Sequence, residues 1–124
     1  MRIGFDITPI ARNRTGIGTF CFFLLKHLLG TYPDCRFAGF SSGRGQVDLG
    51  PLEDALTHRH VLLPTRVLYA LWEVLAVPNV DKLLGGVDVY HATNFFLPPT
   101  KTAARVVSIY DLSFLAVPDL CSPK

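Results

Sequence analysis

Two stretches, "VDVYHATN" (Val87 to Asn94) and "ARVVSIYD" (Ala104 to Asp111), are β-branched and continuous, as strands buried on both faces are. Strands that do not alternate apolar with polar residues are buried on both faces, so each needs a covering layer above and below. That requirement constrains the fold more than any other feature of the chain. An earlier run, Arg2 to Ile7, has Ile3, Phe5 and Ile7 alternating and reads as a first strand, ended by Pro9 and the polar "RNRTG". From Ile17 the residues Ile17, Phe20, Cys21, Leu24, Leu25, Leu28 and Leu29 fall at helical spacing, with Gly30 and Pro33 as the stop. Cys35 to Ser42 reads as a second strand, "SGRGQVDLGP" as a loop, and His60 to Pro64 as a brief third strand. "TRVLYALWEVLAVPNVDKLLGG" is apolar nearly all round and is expected to form two short helices divided at Pro78. Strands alternating with helices predict an α/β fold built on a parallel sheet.

With 124 residues, 49% of them apolar, the chain can bury one core but not two lobes facing each other across a cleft. The net charge is +2 and the basic residues are scattered, which argues against a nucleic-acid surface and leaves room for a small anionic ligand. Cys21, Cys35 and Cys121 form no CxxC and no Cys/His metal spacing, the usage expected in a reducing cytosol. His27, His58 and His60 have no partner at ligand spacing, so no metal site is expected. The start "MRIGFDITPI" is neither a signal nor a transit peptide, and no apolar run reaches the roughly 18 to 20 residues needed to span a bilayer. A cytoplasmic protein that at most rests on a membrane surface is expected. The end, "LSFLAVPDLCSPK", leaves Leu112, Phe114, Leu115 and Val117 without a later element to cover them. The chain therefore reads as cut short, with self-association through exposed apolar surface as the expected consequence.

In parallel α/β sheets ligands bind beyond the carboxyl ends of the strands. Three sets of residues fall there. Gly16 and Gly18 open the first helix, where free N–H groups and the positive dipole end suit a diphosphate; a tight turn with glycine dihedrals is an equal alternative. The pattern is not GxGxxG, and Arg12 and Arg14 upstream either add charge to a phosphate site or are solvated. His91 and Asn94 follow the fourth strand, where His91 can donate to a sugar hydroxyl or move a proton, or simply bond a neighbouring loop. Asp111 follows "VVSIY" and either binds hydroxyls, acts as a base, or caps the next turn. Tyr69 and Trp72 offer a membrane or acceptor surface, against which core packing is favoured because Glu73 is the only charge between Val67 and Val77.

Taken in order, "RIGFDITPI", "TGIGTF", "DVYHATNFFLPP" and "RVVSIYDLSFLAVPD" resemble the N-terminal domain of the family 4 glycosyltransferases. The resemblance runs through nearly all of the chain, with residues 35 to 65 contributing little. It implies a Rossmann-like parallel sheet flanked by helices, the N-terminal lobe of the two-lobed GT-B fold. It further implies transfer of a sugar from a nucleotide-diphosphate sugar to a sugar or lipid-linked acceptor, with retention and without a metal ion or other cofactor. In that division of labour the N-terminal lobe holds mainly the acceptor and a C-terminal lobe most of the donor. Carried over, Gly16 and Gly18 would face the donor phosphates, and His91, Asn94 and Asp111 the acceptor, with His91, Tyr110 and Asp111 nearest the chemistry. Tyr110 stands where the family's "HDLSF" has histidine, and a tyrosine does not carry protons near neutral pH. The expectation is an acceptor-side domain, inactive without a second lobe; the alternative is a non-catalytic Rossmann-like binding or interaction domain.

Overall fold

The computed structural model describes residues 1–11, 16–45 and 47–116, so Arg12, Arg14, Val117 and Cys121 lie outside the described residues. Strand β1 (Arg2–Asp6) leads to helix α1 (Gly16–Thr31) and strand β2 (Arg36–Ser42). A 3-10 turn (Gly50–Ala55) precedes strand β3 (Thr57–Val61), which is followed by helices α2 (Thr65–Leu75) and α3 (Val80–Leu83). Strands β4 (Val89–Ala92) and β5 (Ala104–Val107) and the short helix α4 (Ser113–Ala116) complete the order. All five strands are parallel, in the spatial order β3-β2-β1-β4-β5. The fold is α/β and Rossmann-like, with helices on both faces of the sheet.

Alternation along β1 sorts the two layers. Phe5 faces one core with Ile7, Cys21, Leu25, Phe37 and Leu52, under α1 and the 3-10 turn. On the other face Phe40, Leu68, Trp72, Val80, Leu84 and Tyr90 pack beneath α2 and α3. Gly4 makes this second layer possible, because a Cβ there would lie 2.8 Å from the Tyr90 ring and 2.9 Å from Leu84. Helix α1 buries Gly18, Cys21, Phe22 and Leu25, an i, i+3, i+4, i+7 set. Phe20, placed by the sequence pattern on the core stripe, lies off this set and is 51% exposed. Gly30 does not stop the helix, which runs one residue past it to Thr31, two short of Pro33.

The third strand begins three residues earlier than its apolar run suggests. It is an edge strand, and its register pairs Ala38 with Thr57 and Ser42 with Val61, so "THRHV" forms the ladder while Leu62 and Leu63 lie beyond it in solvent. In that register the Ser41 hydroxyl sits 2.9 Å from His58 Nε2 and 2.8 Å from His60 Nδ1. The fifth strand also differs from expectation. It ends at Val107, and Ala104, Arg105 and Val106 are exposed because β5 is the other edge of the sheet. Two helices divided at Pro78 do form, although α2 is amphipathic rather than apolar-buried all round: only Leu68 and Trp72 are fully inside.

One heavily hydrogen-bonded side chain is a residue that periodicity does not single out. Asp81, in the first turn of α3 and buried, accepts Lys82 N–H on Oδ1 at 3.0 Å. Its Oδ2 accepts the N–H groups of Lys101, Thr102 and Ala103 at 2.9, 2.9 and 3.3 Å, together with the Thr102 hydroxyl. The carboxylate thereby pins α3 to the residues that lead into β5. These donors outweigh the cost of burial and hold its pKa down at about 2, against the usual 3.8. Because the folded value is depressed, the stabilisation is present above pH 3.8 and is lost as pH falls toward 2. Asp81→Asn turns an amide N–H₂ toward N–H donors and is expected to cost about 2 kcal/mol at pH 7 in urea unfolding. The gap between variant and parent should close as the titration reaches the low end of that window; a constant gap would contradict the account.

Candidate functional site

The connections on either side of β1 leave the sheet in opposite directions. One goes through α1 to β2, and the other returns from β3 through α2 and α3 to β4, so β1 and β4 are neighbours joined by chain on opposite faces. This is the topological switch point, where the carboxyl ends of adjacent strands splay their loops apart and open a crevice. Asp6, Thr93 and Ser108 stand at the carboxyl ends of β1, β4 and β5, with Tyr110 two residues beyond Ser108.

A continuous set of hydrogen bonds ties these ends together. Thr93, fully buried, donates its hydroxyl to the Asp6 carbonyl at 2.9 Å. Tyr110 donates its hydroxyl to the Thr93 carbonyl at 2.7 Å and has Cys21 Sγ of α1 at 3.4 Å. With the phenol proton directed at Thr93, the thiol donates to the phenol oxygen. Burial and the Cys21 contact push the Tyr110 pKa up to about 12, so the phenol is a neutral donor throughout the physiological range. Asp6 takes the Thr8 N–H on Oδ1 at 3.0 Å, and burial raises its carboxyl above the ordinary value despite that bond. This puts a buried carboxyl of raised basicity at the end of a central strand. The sequence reading passed over Asp6, Thr93 and the placement of Cys21, because none stands out until β1, β4 and α1 are brought together.

His91 lies within β4, paired with Phe5 of β1, and its ring meets Phe5 edge-to-face at 5.0 Å. Its Nε2 is 2.8 Å from Ser108 Oγ, and burial lowers its pKa, so the ring is neutral at pH 7. The bond to a neighbouring loop, one of the two readings of His91, is thus present in the structure. Asn94 and Phe95 follow Thr93 in a tight bend where the Phe96 N–H reaches back to the Asn94 carbonyl. Phe95 has φ of 49°, a left-handed conformation unusual for an aromatic residue. The bend is anchored by Phe96, whose ring stacks on Tyr69 at 4.2 Å and on Trp72 at 5.7 Å. Trp72 also donates Nε1–H to the Pro78 carbonyl at 2.8 Å. Tyr69 and Trp72 therefore pack in and beside the core, where they support the bend.

With Phe96 held inward, Phe95 points out beside Tyr110, their ring centroids 6.0 Å apart, and Phe20 of α1 approaches Tyr110 from the other side at 5.6 Å. The three rings form a row centred on Tyr110, with Phe20 51%, Phe95 43% and Tyr110 37% exposed. Helix α1 begins at Gly16, which is exposed, whereas Gly18 is buried against the sheet. Asp111 is farther out: its carboxylate takes the N–H and hydroxyl of Ser113 at 2.7 and 2.8 Å, capping α4 and keeping its pKa below the usual range. The structure therefore brings His91, Asn94 and Tyr110 to one region, with α1 opening nearby, and engages Asp111 as a cap. Among the described residues no three His, Cys, Asp or Glu side chains are grouped to hold a metal ion. No described helix is long and apolar enough to cross a membrane. A groove of about 520 Å³ lined by Arg2, Arg36, Asp54 and Thr57 lies at the opposite, amino ends of the strands.

Tyr110→Phe keeps the ring in the aromatic row and removes the bond that ties α1 and the post-β5 segment to Thr93. It is expected to cost about 1 kcal/mol in urea unfolding, the usual worth of one such bond. Unchanged stability would show that Tyr110 does not hold the crevice together. In comparison with known proteins, no family model matches the chain, nor does any curated protein or solved structure.

Proposed function

We propose that this domain is the acceptor-side lobe of a retaining glycosyltransferase, which moves a sugar from a nucleotide-diphosphate sugar to a sugar or lipid-linked acceptor and needs a second, donor-binding lobe to turn over. One observation carries the reading: a polar chain from Asp6 through Thr93 to Tyr110 at the switch point, beneath three half-exposed aromatic rings. A sugar has apolar C–H faces and a rim of hydroxyls, and a lipid-linked one adds an apolar tail. Apolar rings beside a few oriented polar groups are the lining such a ligand requires. Asp6 is the natural partner for an acceptor hydroxyl, His91 and Asn94 flank it, and the opening of α1 at Gly16 lies toward the donor phosphates. The ordered motifs "TGIGTF", "DVYHATN" and "IYDLSF" support the same assignment.

Tyr110 favours a second reading, a binding domain without catalysis. A phenol that holds its proton up to about pH 12 donates a hydrogen bond but cannot exchange a proton at neutrality, as a histidine at that place would. Transfer assays on the complete polypeptide with its donor-side lobe, using UDP-glucose or GDP-mannose and alkyl glycoside acceptors, separate the two. The enzyme reading expects a product with the donor's anomeric configuration and at least a tenfold fall in kcat/KM for Asp6→Asn, equivalent to about 1.4 kcal/mol. Transfer seen only in Tyr110→His, or in neither protein, would assign the domain to binding alone.

A further inference from the structure

We infer that the outward face of α2 is a self-association surface on which a second copy of this chain packs as an antiparallel helix partner. With Leu68 and Trp72 turned inward, helical geometry sends Val67, Ala70 and Val74 to the opposite side, and all three are exposed, Val74 at 79%. Leu62 and Leu63 just before the helix, and Leu75 and Val77 at its end, are exposed as well and add apolar surface around it. A helix with apolar residues on both sides is half-partnered in the monomer.

The occupant is specified by the charges. Arg66 and Glu73 are the helix's only charged residues; both are exposed, and neither forms an ion pair with a described residue. They are seven residues apart, about 10.5 Å along the axis, and so flank the row on the same side. A two-fold axis lying in the contact plane, perpendicular to the helix at Ala70, keeps the charged flank against the charged flank and reverses its order. Arg66 of each copy then meets Glu73 of the other, twice per dimer. Ala70 falls at the crossing point, where a small side chain lets the helices approach. A parallel pair would instead put the charged flank opposite the uncharged one. One 11-residue helix buries less than a standard interface, so the dimer is weak and concentration-dependent.

Sedimentation velocity across a concentration series tests this on the protein and its charge variants. The parent should pass from 13.7 kDa toward twice that mass as concentration rises. Arg66→Glu and Glu73→Arg each turn two attractions into two repulsions and should weaken self-association at least about tenfold. Mixing these two variants restores both pairs, as does the double exchange Arg66→Glu with Glu73→Arg, and both should recover the dimer. Both substituted positions are on the exposed flank, and unchanged circular dichroism confirms the fold. A monomeric parent at every concentration would overturn the inference, as would association indifferent to charge exchange, which would place the contact at the β5 edge or the exposed Ile109, Leu112 and Leu115. A monomer that instead sediments with phosphatidylglycerol vesicles, and ceases to do so as Val74→Glu, would give this face to a membrane surface.

Discussion

The double pairing of β1 is the constraint on which the rest of the molecule depends. Its five residues pair with β2 along one edge and Ile3, Gly4 and Phe5 pair with β4 along the other, and the connections into those two neighbours, through α1 to β2 and through α2 and α3 to β4, lie on opposite faces. Gly4 gives way to Tyr90 and Leu84 on one side, while Phe5 fills the core on the other. That alternation closes both layers. The crevice at the carboxyl ends of β1 and β4 is the geometric consequence, since no connection crosses directly between them.

A splayed junction of this kind leaves backbone carbonyls facing inward, and buried carbonyls need donors. Thr93 and Tyr110 supply them in sequence, and by doing so draw β1, β4 and the segment after β5 into one rigid unit against α1. Asp81 does the equivalent for the approach to β5, from the opposite layer. The first network thus braces the carboxyl ends of the strands, where a ligand would enter, and the second braces the amino end of β5. Phe95 and Phe20 are left exposed beside inward neighbours: Phe96 is stacked on Tyr69 and Cys21 of α1 is buried.

Much of the architecture was legible in the residues. The β-branched runs at Val87 and Ala104, the helical stripe from Ile17 and the break at Pro78 suffice to predict a parallel sheet with helices on both sides. Edge strands were harder. Apolar content marks burial rather than ladder pairing, so the pattern points to Leu62 and Leu63 rather than "THRHV", and to full burial of "ARVVSIYD" although its strand lies at the rim. Strand ends can be located from the pattern, and His91, Asn94, Asp111 and the opening glycines are identified as candidates that way. Asp6 and Thr93 are not, since their significance is a pairing between positions 87 residues apart. Asp111 is a reverse case, where a conspicuous carboxylate after a strand is engaged locally by Ser113.

The central claim is that the crevice between β1 and β4 receives a carbohydrate. Amide NMR of the labelled protein, titrated with octyl glucoside below its micellar concentration, tests it most directly. The account predicts saturable shift changes gathered at Asp6, Gly16, Thr93 to Phe96 and Tyr110, with the opposite end of the sheet undisturbed. Changes centred on the groove at Arg2, Arg36, Asp54 and Thr57, or none up to the solubility of the ligand, would contradict it.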